Sequence, residues 1–291
     1  MIHDEAGSAG KLYSLIIEAV FKRHYRRGIA EFAFNREELV EVALALYEKN
    51  LTNQPRLKNL GDVIYAYRHR RPLPDGILHT QPEGRAWMIL GAGDGAYRFR
   101  LVKLTHIERS PGRTVIPIPD ATPEIVAKYK LGDEQALLAK IRYNRLVDIF
   151  LGLTTYSLQN HLRTKIPNYG QIEIDELYVG VDKDGRHYVI PVQAKGPKDR
   201  LGAIQTIQDI LYCGAIQPVA NSVKARTDFS KLKCRAVSAQ LFRDDAINKD
   251  GKRVKVETIV MFELKFDGDE VMIEDERHYQ LVPADQTPPK P

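Results

Sequence analysis

Cysteine is almost absent from this chain: Cys213 and Cys234 are the only two in 291 residues. That excludes a disulfide framework and a cysteine-built zinc site, and leaves two reduced structural thiols as the expectation. No apolar run reaches membrane-spanning length, and the start, "MIHDEAGSAGK", lacks the apolar core of a signal peptide. The chain therefore reads as cytoplasmic, with no membrane partner. There is no P-loop and no G-x-S-x-G, and the eight histidines lack zinc-ligand spacing with the cysteines. The glycine-rich "GAGDG" (91–95) stands between two strand-like runs rather than between strand and helix. It reads as a hairpin turn, not a phosphate loop.

What is present is an ordinary globular composition, 43% hydrophobic and 28% charged, at a length that fits two domains. The net charge of +5 is placed unevenly. Residues 1–130 hold 20 Lys and Arg against 15 Asp and Glu, and the remaining residues hold 23 of each. The clusters "KRHYRR" (22–27) and "YRHRRP" (67–72) concentrate that excess, which suits either a front domain that grips a polyanion or a solvated charged face.

Helical spacing of Leu12, Leu15, Ile16, Val20 and Phe21 predicts a first helix over 11–27. Asn35, followed by Glu37 and Glu38, marks the start of a second, and "RLKNLGDVIYAYRHRR" reads as a third. The strand-like "RAWMIL" and "AYRFRLVKL" come next. That order is that of a winged helix-turn-helix, with a generic helical packing domain as the alternative. In the winged reading the third helix carries Arg68, Arg70 and Arg71 to a DNA groove. The proline-rich segment 109–122 is expected to be a linker between a DNA-binding domain at 1–108 and a second domain at 123–285, with a disordered tail at 286–291. In the second domain a helical block over 123–164, broken near Gly152, precedes a hairpin, a helix at "AIQTIQDILYC" and three more strands.

The hairpin is "GQIEIDELYVGVDKDGRHYVIPVQAKG". A three-residue loop, Lys183-Asp184-Gly185 with glycine in the left-handed position, pairs Asp182 with Arg186. Asp175 then falls opposite Gln193 and Glu173 opposite Lys195, on one face. Ile172, Ile174, Tyr178, Tyr188, Ile190, Val192 and Ala194 form the other, interrupted only by Glu176. A two-residue turn would slip the register by one and mix the faces. Two carboxylates, an amide and a lysine thus gather at one end of one face. Carboxylates so close repel unless a cation intervenes, and hard oxygen donors suit Mg2+ or Mn2+. The bland alternative is a salt-bridged sheet edge.

Asp175, a hairpin turn and then Gln193-Ala194-Lys195 resemble the PD-(D/E)XK nuclease superfamily. Gln208 and Tyr212 are similar to the Q-x-x-x-Y element of its RecB-type members, although an ordinary amphipathic helix has the same spacing. The resemblance covers roughly residues 135–265. It departs from the superfamily at Gln193, where an acid is usual but Mrr-type restriction enzymes share the glutamine, and at Ile174, where the proline is missing. It implies a restriction-endonuclease-like α/β fold, a central mixed sheet flanked by helices. It also implies catalysis by Asp175, Gln193 and Lys195 and a Mg2+ or Mn2+ held by Asp175, Gln193 and Glu173, with Glu176 as a rival second acid. Lys198 and Arg200 would meet the phosphate backbone of duplex DNA or remain solvated, and Gln159 or His161 could add a polar group. The implied activity is a Type II-like restriction or phage-defence endonuclease, acting as a homodimer because both strands must be cut. A repair or structure-specific nuclease, and a non-catalytic DNA-binding protein on the same scaffold, are the alternatives.

Overall fold

The computed structural model describes residues 3–49, 59–69, 71–103, 105–129, 134–166, 170–215, 229, 231–247, 251–267 and 270–283. Two compact units result: residues 1–105 with 165–171, and residues 106–164 with 172–291.

In the first unit the order is α1 (His3–His24), β1 (Glu31–Asn35), α2 (Arg36–Glu48), α3 (Gly61–His69), α4 (Asp75–Leu78), β2 (Ala86–Gly93) and β3 (Ala96–Val102). The strands form an antiparallel sheet in the order β1-β3-β2. Asn35 starts α2 through a capping box: its side chain takes a backbone N–H of the first turn, and Glu38 returns a bond to the Asn35 N–H at 2.9 Å. Phe21, Phe34, Phe99 and Trp87 pack at the centre of this unit, almost fully buried. The strand β1 lies outside the sequence expectation. Its five residues alternate exposed and buried, a pattern too short to stand out between two strong helices.

The second unit is mixed α and β, with helices against a large mixed sheet. Its elements are β4 (His106–Ile107), β5 (Val115–Pro119), α5 (Glu124–Tyr129), α6 (Glu134–Tyr143), α7 (Leu146–Leu151), β6 (Thr154–Ile166), β7 (Gly170–Val181), β8 (His187–Lys195), β9 (Leu201–Gly202), α8 (Ala203–Ala215), β10 (Lys233–Cys234), β11 (Ala236–Ile247), β12 (Arg253–Asp267) and β13 (Glu270–Val282). The sheet runs β5-β13-β12-β11-β8-β7-β6, with β10 also on β8. The β11–β8 and β13–β5 pairs are parallel, and the β7–β8, β11–β12 and β12–β13 pairs antiparallel.

Two expectations are corrected. The segment 109–122 is not a free linker, since it supplies β5 to the sheet. Pro117 and Pro119 are tolerated there because an edge strand can spare an N–H. Helix also stops at Leu151, where Gly152 turns left-handed at φ +65°, and residues 154–166 are strand rather than helix. Their β-branched Thr154, Thr155 and Thr164 favour the extended chain.

The hairpin register is the expected one. Val181 faces His187, Tyr178 faces Ile190 and Glu176 faces Val192. Asp182 donates to Arg186 O at 3.1 Å, and Gly185 sits at φ +77°. Strand β8 is buried on both faces, which is why it reads as a nearly continuous apolar run. Tyr178, Tyr188, Ile190, Val192 and Ala194 pack beneath α6 and α7, and Leu177 and Val189 pack with Cys213 of α8 and with Phe229. Full burial of a side chain such as Ile190 contributes about 1.5–3 kcal/mol, so both faces anchor the strand that ends in Lys195. Cys213 and Cys234 are unbridged.

Candidate active site

The recorded ladder between β7 and β8 ends at Glu176–Val192, while β11, on the other side of β8, stays paired with it from Val192 to Lys195. Asp175 lies just past that fork. Its Oδ2 accepts the Ala194 N–H at 2.9 Å, taking the place of a ladder carbonyl. Burial pushes the Asp175 carboxyl above its usual range, against the pull of the Ala194 bond and the Lys195 charge. Gln193 is 1% exposed, and its Nε2 donates to the Glu173 carbonyl at 3.2 Å.

Lys195, at the end of β8, donates to Glu134 Oε1 at 2.8 Å. Burial alone would lower its pKa. The Glu134 bond and the charges of Asp175, Glu134 and Asp199 outweigh that and raise it, so Lys195 is an ammonium at neutral pH. Glu134 opens α6, and nothing in the sequence marked it apart from its first-turn position, where acids are common on any helix.

Behind these residues, α8 brings Asp209 into the cluster. It is 2% exposed, and burial raises its pKa well above the usual carboxylate range. Gln193 Oε1 and Asp209 Oδ1 are both buried without a hydrogen-bond partner among the described residues. An orphaned oxygen in a sheet interior is costly, and a cation is one way to satisfy it. No trio of His, Cys, Asp or Glu side chains converges among the described residues. The donors here that could hold a divalent cation are Asp175 and the Gln193 amide, with water completing the shell.

The other expected residues fall as follows. Glu173 is exposed, with its Oε1 3.1 Å from Arg163 and 3.5 Å from His161 on β6, so its carboxylate is engaged away from Lys195. Glu176 points to the opposite face, fully buried, where Arg142 donates at 2.9 Å and Ser157 at 2.5 Å. It has no part in the cluster, because residues one apart on a strand face opposite ways. Gln208 is buried beside Asp209, and Tyr212 packs with Leu177 and Phe229, 6.4 Å from the Phe229 ring.

Lys198 and Arg200 are exposed on the loop after Lys195. A hollow of about 570 Å³ on one side of that loop is lined by Glu134, His161, Lys198 and Arg243. On the other side a hollow of about 380 Å³ is lined by His106, Arg109, Lys198, Arg200 and Phe242. Gln159 is exposed on β6. Arg68 is turned inward on α3: its Nε is buried, and burial lowers its pKa, with Tyr97 opposing. It follows Ile64 by four residues and so rides the edge of that helix's buried stripe. Arg71 is exposed, 5.9 Å from the centre of the Tyr13 ring. Arg70 and the 286–291 tail lie outside the described residues.

No family model matches the chain, and neither a curated protein nor a solved structure is significantly similar to it. The functional reading therefore rests on the cluster itself.

Proposed function

We propose that the chain is a Mg2+-dependent endonuclease acting on duplex DNA, with Mn2+ able to substitute. The observation that carries this reading is the meeting of Asp175, Gln193 and Lys195 at one fork of the sheet, with Glu134 holding the lysine. Asp175 and Gln193 would hold the metal, which would supply Lewis acidity at a phosphate oxygen and a bound water of lowered pKa. The raised pKa of Lys195 makes it a donor rather than a base, suited to the negative charge that grows on a phosphorane. Glu134 fixes where that ammonium sits. Lys198 and Arg200, exposed between the two hollows, suit the flanking phosphates.

The first unit supports a DNA grip. Its order, helix, strand, three helices and two strands, with the sheet arranged β1-β3-β2, is compatible with a winged helix in which α3 would be the recognition helix. Arg71 rather than Arg68 would reach the phosphates. Cleavage of both strands calls for two centres, so the working form is a homodimer, and a Type II-like restriction or defence role in the cytoplasm is the setting. Among the described residues no helix is long and apolar enough to cross a membrane.

Plasmid digestion with Mg2+ or Mn2+ tests the reading, with Asp175→Asn and Lys195→Met as controls. Discrete fragments that both variants abolish are expected. Cutting confined to branched or flapped substrates points to a repair nuclease. DNA binding without cutting in either ion would overturn the enzyme in favour of a binding scaffold.

A further inference from the structure

The hollow of about 380 Å³ beside the loop after Lys195 has Arg109 and Phe242 in its lining. Strand geometry puts it there. Gln240 of β11 stands next to Lys195 in the parallel β8–β11 register, and Phe242 and Asp244 follow at a spacing of two. All three therefore share the face that carries Lys195. Strand β8 ends at Lys195, so Phe242 lies one step past the end of the neighbouring strand. The chain after Lys195 is tied down here, where Gln240 Nε2 donates to the Asp199 carbonyl at 2.6 Å.

Arg109 is held rigidly in this lining. Its Nη1 donates to Asp244 Oδ2 at 2.6 Å and its Nη2 to Asp244 Oδ1 at 2.7 Å. Its Cζ stands 4.1 Å from the centre of the Phe242 ring. The backbone on either side is anchored too: Ile107 pairs with Leu201, and the Ser110 N–H and hydroxyl both donate to Glu276. A long side chain fixed in this way has lost its rotamer freedom before any ligand arrives, which favours binding.

These contacts decide what the hollow can take. A guanidinium already bidentate on a carboxylate has its paired donors engaged and its charge offset, so it is a poor phosphate clamp. Glu108 and Asp199 also line the hollow, and carboxylates repel an anion. What Arg109 still offers is the flat face turned away from Phe242, on a side chain that is 35% exposed. Guanidinium planes stack bases, and carboxylates accept from base amino groups. Lys198 and Arg200, exposed at the same hollow, suit the phosphates that a base brings with it. A volume of about 380 Å³ is at the small end for ligand pockets, with room for one nucleotide and not for a duplex.

We propose that this hollow is a subsite for one unpaired base of a DNA strand, stacked on the outer face of the Arg109 guanidinium, which Phe242 backs and Asp244 orients. The inference rests on the DNA-binding part of the reading above.

Fluorescence anisotropy without divalent metal tests it with cleavage kept out of the measurement. The labelled duplexes differ at one point: fully paired, carrying one extra unpaired adenine, or carrying an abasic residue in place of that adenine. Wild type is expected to bind the adenine bulge about fivefold to a hundredfold more tightly than the abasic one, the range for loss of one stacked base. Arg109→Lys keeps a cation for Asp244 and loses the plane. It is expected to bind both bulges alike, and the abasic one as wild type does. A variant that fails to fold would lose the abasic duplex as well, and Phe242→Leu, which removes the backing and keeps the ion pair, is then the one compared. 2-Aminopurine placed at each adenine of the paired duplex in turn separates the two sources of the base. Brightening on binding means that the protein turns the base out, and a bulge preference without brightening means that it takes a base already unpaired. Equal binding of adenine and abasic bulges by wild type would overturn the inference and leave DNA binding standing. So would a preference that survives in both Arg109→Lys and Phe242→Leu. Binding of none of the duplexes would overturn the DNA-binding reading and the subsite together.

Discussion

Lys195 Nζ stands 2.8 Å from Glu134 Oε1, joining the end of β8 to the start of α6 across 61 residues. The pair is enclosed on the lysine side, so each partner compensates a charge that would otherwise be poorly solvated. A double-mutant cycle with Glu134→Gln and Lys195→Met is expected to give a coupling of about 1–3 kcal/mol in urea unfolding. Its pH dependence has a definite sign. The folded pKa of Lys195 lies above its usual 10.5, so the pair's contribution is complete below about 10.5 and is lost as the pH rises through the folded value. Wild type should therefore lose more stability than Lys195→Met in that alkaline range.

Glu276 offers the opposite sign. Its Oε1 accepts from the Ser110 N–H and from His278 Nε2, each at 2.7 Å, and Ser110 Oγ donates to Oε2 at 2.6 Å. Burial opposes ionisation, but these bonds and Arg113 prevail and hold the carboxyl below its usual 4.5. The clamp is at full strength above about pH 4.5 and is lost as the pH falls through the folded value. Glu276→Gln is expected to cost about 2 kcal/mol at pH 7 and progressively less below pH 4.5, measured by urea melts across that range.

Arg142 is the partner that makes Glu176 tolerable inside the sheet, 2.9 Å away. Arg142→Met keeps much of the stem and removes the charge. It is expected to destabilise the fold by about 2 kcal/mol, a moderate figure because the guanidinium is partly exposed and Ser157 still donates to Glu176. Cleavage per folded molecule should be unchanged, which separates Glu176 from the cluster on the other face.

Gly185 carries the hairpin's only positive φ, +77°, and nothing lies within 4 Å of where a β-carbon would stand. Gly185→Ala is therefore expected to cost about 1–2 kcal/mol through backbone strain alone, with Gly185→Asn costing less. Thermal melts compare the two directly.

The hairpin was readable from its sequence because one turn and one alternating pattern admit a single register. The same logic places Asp175, Gln193 and Lys195 on one face from local sequence alone. Glu134 was not readable, since its partner is decided by how α6 lies on the sheet and a first-turn glutamate has an ordinary explanation. Asp209 lies inside "AIQTIQDILYC" between Gln208 and Tyr212, and only its enclosure distinguishes it. Arg68 shows the converse: a basic cluster reads as a surface until helical phase turns one member inward. Strands β5 and β6 are not legible in the sequence, because prolines in 109–122 read as a linker and the helical run before Gly152 reads as continuing.

The bond from the Ala194 N–H to Asp175 Oδ2 has one more consequence. One oxygen of that carboxylate is already engaged in stitching the sheet, so an ion that reaches Asp175 competes with the stitch at Oδ2 and meets no such rival bond at Oδ1. Truncation to alanine would therefore do two things at once, removing a charge and leaving an amide hydrogen stranded at the fork. A dead Asp175→Ala protein could be merely unstitched. Asparagine, which can keep the stitch and lose the charge, is the substitution that tells chemistry from carpentry.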